Sequence, residues 1–198
     1  MSELDIALSI ALGIGLAAAT GFRVFLPMLV TSAAAYAGYL PLGESFAWLA
    51  TPAALIMLAI AAIVEIAAYY IPGVDNLLDT LATPAAFIAG TIVSAAVLTD
   101  LPPMLKWTTA VIAGGGIAGA TQGVTALLRA KSTVLTGGIG NAGIATAELG
   151  SSLLMSLLAL AAPFIALLLI GLFLWFAVRL IRKLGKRPPA QTAPPSTS

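Results

Sequence analysis

Apolar residues fall in long runs along this chain, not in narrow stripes. Seven such runs can be drawn, approximately Leu4–Phe22, Val24–Leu40, Phe46–Tyr70, Thr83–Leu98, Met104–Leu128, Thr133–Leu153 and Leu157–Arg182. Most approach or exceed the roughly 20 residues that a helix needs to cross a hydrocarbon core. The pattern therefore predicts an all-α fold, a polytopic membrane helical bundle of about seven segments. Two runs are irregular: Pro27 interrupts the second, and Gly137, Gly138, Gly140 and Asn141 break the sixth. Either is expected to be a re-entrant or broken helix, which a membrane tolerates only where the backbone is buried in protein or lines a cavity. No polar loop separates the sixth run from the seventh, so one long helix kinked near Pro163 is an alternative. Residues 1–187 read as a single transmembrane helical domain. The Pro/Ser/Thr-rich stretch 188–198 reads as a disordered cytoplasmic tail.

Composition agrees with the pattern. The 198 residues are 60% hydrophobic and 9% charged, with mean hydropathy +1.06, against about 25% charged residues in soluble domains. The expected partner is the lipid bilayer, and a homo-oligomer is left open. A net charge of +1 excludes a broad nucleic-acid surface. There is no cysteine and no histidine, which removes disulfides, thiol nucleophiles, structural zinc, haem ligation by these residues and serine–histidine chemistry. No cofactor is expected and no metal is assigned. The acidic start Met1-Ser2-Glu3-Leu4-Asp5 is unlike a secretory signal, so the first run is read as a retained span.

Charge placement suggests an orientation. With seven spans and the N-terminus outside, Arg23, Arg129, Lys131 and the cluster Arg179, Arg182, Lys183, Lys186 and Arg187 all fall on the cytoplasmic side, leaving only Lys106 outside. A five-span arrangement with two re-entrant hairpins also keeps the C-terminus inside, but moves Arg129 and Lys131 out.

The candidate chemistry lies in the few ionisable groups within apolar runs. Glu65 stands inside the third, where a carboxylate costs roughly 2.5–3.5 kcal/mol on insertion scales and marks a functional site or a buried ion pair by default. Tyr69 follows one turn later on the same face. Arg23 ends the first run at the same depth, so an Arg23–Glu65 pair is expected. It would either lock two helices or bind substrate or protons. Asp75 and Asp79 share one face of a short helix after Ile71-Pro72-Gly73, with Asn76 beside them. They form a cation or basic-substrate anchor, or Asp75 simply caps the helix. The Gly-rich stretch Thr136–Asn141 precedes Glu148 and resembles the unwound backbone of broken transporter helices. Gly115, Gly119 and Gly123 form a GxxxG ladder suited to helix packing.

A weak internal repeat joins these features. Gly15-Leu16-Ala17-Ala18-Ala19-Thr20 matches Gly116-Ile117-Ala118-Gly119-Ala120-Thr121. A basic residue follows each motif, and later in each half a carboxylate follows, Glu65 or Glu148. Two copies, 4–80 and 104–183, would be parallel if each holds three spans and inverted if re-entrant segments intervene.

The motifs Thr20-Gly21-Phe22-Arg23-Val24-Phe25-Leu26-Pro27, then Glu65, then Ile71-Pro72-Gly73-Val74-Asp75-Asn76-Leu77-Leu78-Asp79 with Thr83-Pro84, resemble the domain of unknown function 4126 family. That similarity continues through Thr136-Gly137-Gly138 and Asn141 to Glu148. It implies a multi-span protein of the bacterial plasma (inner) membrane and supplies no substrate. Three functions compete. The leading one is a small secondary transporter or permease, with Glu65, Arg23, Asp75, Asp79, Tyr69 and Asn76 as one binding half and Asn141 and Glu148 as the other, taking a cation, proton or small polar solute. A non-catalytic membrane scaffold or assembly factor is the second. A lipid-acting enzyme holding Mg²⁺ on Asp75 and Asp79 is the third.

Overall fold

A computed structural model of the chain describes residues 2–71 and 73–185. The expected tail at 188–198, together with Lys186 and Arg187, lies outside the described residues. Among those residues every regular element is helical: α1 Glu3–Thr20, α2 Phe25–Tyr36, a 3-10 segment Glu44–Ala50, α3 Pro52–Ala68, α4 Val74–Val97, α5 Pro103–Thr109, a π-helical stretch Ala110–Gly115, α6 Gly116–Thr136, α7 Asn141–Ala161 and α8 Pro163–Gly185. The stretch from α5 to α6 runs on as one helical rod of 34 residues. Four helices, Glu3–Thr20, Val74–Val97, Pro103–Thr136 and Asn141–Ala161, are long and apolar enough to cross a membrane. A fifth is gained if the 3-10 segment and α3, bent by 66° at their junction, count as one span.

Local chemistry explains most boundaries. A capping box starts α1: Ser2 Oγ accepts from Asp5 N–H at 3.2 Å and the Asp5 carboxylate accepts from Ser2 N–H at 2.9 Å. Thr51 caps α3, accepting from Ala54 N–H at 3.2 Å, with Pro52 at the first helical position. Because Thr51 itself is extended, the apolar run from Phe46 to Tyr70 is bent there instead of straight. Pro27 does not break α2; it sits in the first turn, where its missing N–H costs no hydrogen bond. Gly137 and Gly138, both at positive φ, end α6 in the left-handed conformation that glycine adopts freely. They form the turn into α7, not an interruption within a span. The sixth and seventh runs are redivided: α7 joins the end of the sixth to the start of the seventh, and the break comes at Ala162, φ −151°, beside Pro163. There the chain turns back instead of continuing as one kinked helix, and α8 lies along α7, so Met155 and Leu158 share a recess with Leu169 and Phe173.

Two helices form the centre. Leu16 to Thr20 of α1 are fully buried, as are Val93, Ala95 and Ala96 of α4. Backbones approach closely there because side chains are absent. A Cβ on Gly90 would sit 2.5 Å from Ala118 Cβ, and one on Gly114 would sit 2.6 Å from Ser94 Cβ. Small residues at such crossings are how apolar helices gain dispersion contact where lipid competes. Within the expected Gly115–Gly119–Gly123 ladder only Gly115 is tightly packed. Its Cβ would meet Thr91 Oγ1 at 2.5 Å, whereas one on Gly119 would make ordinary contact and one on Gly123 would meet nothing within 4 Å. Gly123→Ala is therefore expected to cost no more than about 0.5 kcal/mol of stability. A larger loss in a detergent melt would show that this position packs against another molecule.

The ends of the bundle are distinguishable. Leu8, Leu40, Val97, Asp100, Ala161 and Pro163 share one surface recess, so α1 begins, α2 and α4 end, and the α7–α8 turn lies at a common end. Arg23, Glu65, Asp75, Asn141 and Glu148 gather toward the opposite end.

A buried charge network as the candidate functional site

Thr20-Gly21-Phe22-Arg23 ends α1 because α1 meets α6 there. A Cβ on Gly21 would lie 2.4 Å from Thr121 Cβ and 2.5 Å from Ala118 O. The turn reverses the chain into α2 and leaves the first N–H groups of α2 without helical partners, as at every helix start. Glu65 of α3 fills that need. Its Oε1 accepts from Val24 N–H at 2.8 Å and its Oε2 from Phe25 N–H at 3.0 Å. The positive end of the helix dipole favours the carboxylate at the same spot. The expected Arg23–Glu65 ion pair is not formed. Glu65 is used by backbone donors, and the carboxylate beside Arg23 is Glu148, with Nη2 and Oε2 3.6 Å apart.

Arg23 and Arg129 are only 1% and 0% exposed. Arg23 donates from Nη2 to Ala145 O at 2.9 Å. Arg129, on α6, donates from Nη2 to both oxygens of Glu148 at 2.5 and 2.6 Å, and its Nε lies 3.0 Å from Asp79 Oδ2. Tyr69 joins the set: its ring centroid is 3.9 Å from Arg23 Cζ and 4.3 Å from Arg129 Cζ, and its hydroxyl donates to Asp79 Oδ1 at 3.4 Å. Cation–π contacts of this kind strengthen when desolvated. One cluster thus draws on the α1–α2 turn, the end of α3, α4, α6 and α7.

A second, adjoining cluster holds the turns together. Asp75 Oδ1 accepts from Gly73 and Asn76 N–H at 2.9 and 2.8 Å, so Asp75 does act at the start of α4. Its Oδ2 accepts from Asn141 Nδ2 at 2.6 Å, and the same amide donates to Thr133 Oγ1 at 2.8 Å. Asp75 and Asp79 consequently serve different partners, Asn141 and Arg129. The Asn76 side chain is exposed, and only its backbone N–H takes part. Among the described residues no group of three acidic side chains is arranged to hold a metal ion.

Donor capacity is left over. Arg23 Nε and Nη1 and Arg129 Nη1 are buried with no hydrogen-bond partner. Arg129, which the sequence places with the cytoplasmic-side basic residues, is buried in the network. One signal did mark it: Thr121, Gln122, Thr125, Arg129 and Thr133 recur at helical spacing, and the first four of these are buried on one face. Such a stripe in an otherwise apolar rod predicts a polar interior.

Beside the network, an apolar groove of about 570 Å³ opens between α3 and α4, lined by Val24, Phe25, Met57, Ile60, Val64, Leu78, Leu81 and Ala85 among others. Its polar members are Glu65 and Tyr69.

Apolar helices packed around ion pairs, with large hydrophobic side chains such as Met57, Ile63 and Ile112 turned outward, define a multi-pass membrane protein. The chain belongs to the family described as Domain of unknown function (DUF4126), whose model matches residues 10–183. No curated protein matches the chain, and no solved structure does.

Proposed function

We propose that this protein is a small permease of the bacterial plasma membrane, with the Arg23–Glu148–Arg129–Asp79 network around Tyr69 as its binding and coupling centre. One observation carries the reading: buried guanidiniums contributed by separate segments keep N–H donors free while sharing one carboxylate. A cluster that only locked helices together would use its donors up, because each buried unpaired donor costs about 1–3 kcal/mol. A centre that exchanges partners needs open positions. Protonating Glu148, or meeting its charge with a cation, would release Arg129 and Arg23 and let α6 and α7 move relative to α1.

On this reading the bundle crosses the bilayer with seven legs, namely α1, α2, the bent 3-10/α3 pair, α4, the α5–α6 rod, α7 and α8. The C-terminus is cytoplasmic. Lys131, Arg179 and Arg182 carry the positive-inside bias, since Arg23 and Arg129 are consumed internally. The repeat gains support from the close approach of Gly21, the residue that follows the first motif, to Ala118 and Thr121 of the second. The scaffold reading is favoured by the same ion pairs viewed as clamps.

Proteoliposomes separate the two. Loaded with a pH-sensitive dye and placed under an imposed potassium diffusion potential, vesicles with the protein should take up protons faster than empty ones. Glu148→Gln, less stable but compared at a temperature where circular dichroism shows it fully helical, should return the rate to background. Wild-type flux equal to that of empty vesicles would remove the permease and leave the scaffold.

A further inference from the structure

The geometry points to a membrane amphiphile with an oxyanion headgroup as the ligand of this centre, its hydrocarbon tail lying in the α3–α4 groove; this rests on the permease reading and names the substrate class. Three observations converge. The groove is apolar along its length, through Met57, Ile60 and Leu81, and about 570 Å³ in volume, well within the range of small-molecule sites. Its helices belong to the apolar bundle, so it opens onto hydrocarbon, where water is excluded and an acyl or alkyl chain is the available filler. Tyr69 is the wall common to the groove and the charge network: it lines the groove, and both guanidiniums lie over its ring.

Behind that wall stand Arg23 Nε and Nη1 and Arg129 Nη1, buried and without acceptors. Guanidinium nitrogens without partners call for acceptor oxygens, and their planar fork matches phosphate or carboxylate. The acidic groups are already engaged, Glu148 and Asp79 by Arg129 and Glu65 by Val24 and Phe25 N–H. An incoming cation would therefore have to displace an arginine, whereas an oxyanion meets open donors. A water-soluble anion has no favourable path along an apolar groove. The ligand must be apolar at one end and anionic at the other, and the bilayer is its source. Rotation of the Tyr69 side chain would join the two compartments.

The test uses full-length protein in detergent with radiolabelled hexadecyl phosphate as probe. Saturable binding of one molecule per chain is expected. Ala85→Trp, which fills the groove away from the charges, should weaken it roughly tenfold or more, the scale of a lost well-made contact, with an unchanged melting temperature. Ile112→Trp, on the exposed face of the π-helical stretch, should leave binding intact. Equal binding of hexadecyltrimethylammonium would overturn the anion selectivity. Full competition by millimolar inorganic phosphate would overturn the groove's role. A protein dimer that Ala85→Trp dissociates would assign the groove to a second copy and overturn the proposal. Binding without proton flux would sink the permease reading alone, and flux without binding would sink only the ligand.

Discussion

Arg129→Gln will destabilise the protein by about 3–5 kcal/mol, the usual cost of removing one partner from a buried ion pair. The substitution strands Glu148, which loses both short contacts from Nη2, and Asp79, which loses the Nε partner 3.0 Å away. Arg23 compensates only in part, because its Nη2 stands 3.6 Å from Glu148 Oε2, against the much shorter contacts from Arg129. Arg129→Lys will rescue little, since a single ammonium cannot span two carboxylates held on α4 and α7 in the way a guanidinium fork does. Adding Asp79→Asn to Arg129→Gln should recover part of the loss, because Glu148 is then left with Arg23 as its counterion and Asp79 no longer carries a stranded charge. Thermal unfolding followed by circular dichroism in detergent decides the matter. A wild-type melt for Arg129→Gln would mean that the guanidinium is hydrated and the network is not a sealed interior.

Gly21→Ala is the second severe change, and it isolates packing from charge. The residue has φ −72°, a conformation alanine adopts without strain, so the backbone itself does not object. The new methyl would lie 2.4 Å from Thr121 Cβ and 2.5 Å from the carbonyl oxygen of Ala118. A backbone oxygen held within the continuous α5–α6 rod cannot swing aside, so α1 and α6 must separate. Overpacking of this kind costs about 1–3 kcal/mol or more. Because the end of α1 is fully buried, the separation spreads to Arg23 two residues on. Thr121→Gly should relieve only part of the loss, since the Ala118 oxygen stays in place. An unshifted melt for Gly21→Ala would show that the α1–α6 crossing is looser than described.

Much of the architecture was legible because lipid leaves a coarse signature. The starts of α1 and α5 follow from where apolar runs meet Ser2 and Pro103, whereas the end of α7 falls inside the seventh run, at the Pro163 position where the sequence offers only a kink. What stayed hidden was geometry inside the runs. Ala50-Thr51-Pro52 reads as uninterrupted hydrocarbon, yet the Thr51 cap bends the chain by 66°. The same holds for chemistry. Glu65, Asp79, Tyr69, Asn141 and Glu148 stood out as polar groups in greasy surroundings, and all five make polar contacts at the same end of the bundle. Their partners did not follow from spacing. Glu65 is satisfied by two amide N–H groups, which every residue but proline possesses and which carry no sequence mark. Arg129 did not stand out as a member of the site, because a basic residue near the end of an apolar run looks like any cytoplasmic-side charge until the polar stripe from Thr121 to Thr133 is noticed.

The order in which the network's members leave the ribosome has a consequence for biogenesis. Arg23 enters the membrane early, in the turn after α1, while its carboxylate and the Ala145 carbonyl arrive on α7. At synthesis rates of about 5–20 residues per second, the guanidinium waits on the order of ten seconds for a counterion. Through that interval it must remain hydrated or shielded by the insertion machinery. Nascent chains stalled before Asn141 should therefore stay accessible at Arg23 and be marked for quality-control proteolysis, and release from that surveillance comes only when the penultimate helix docks.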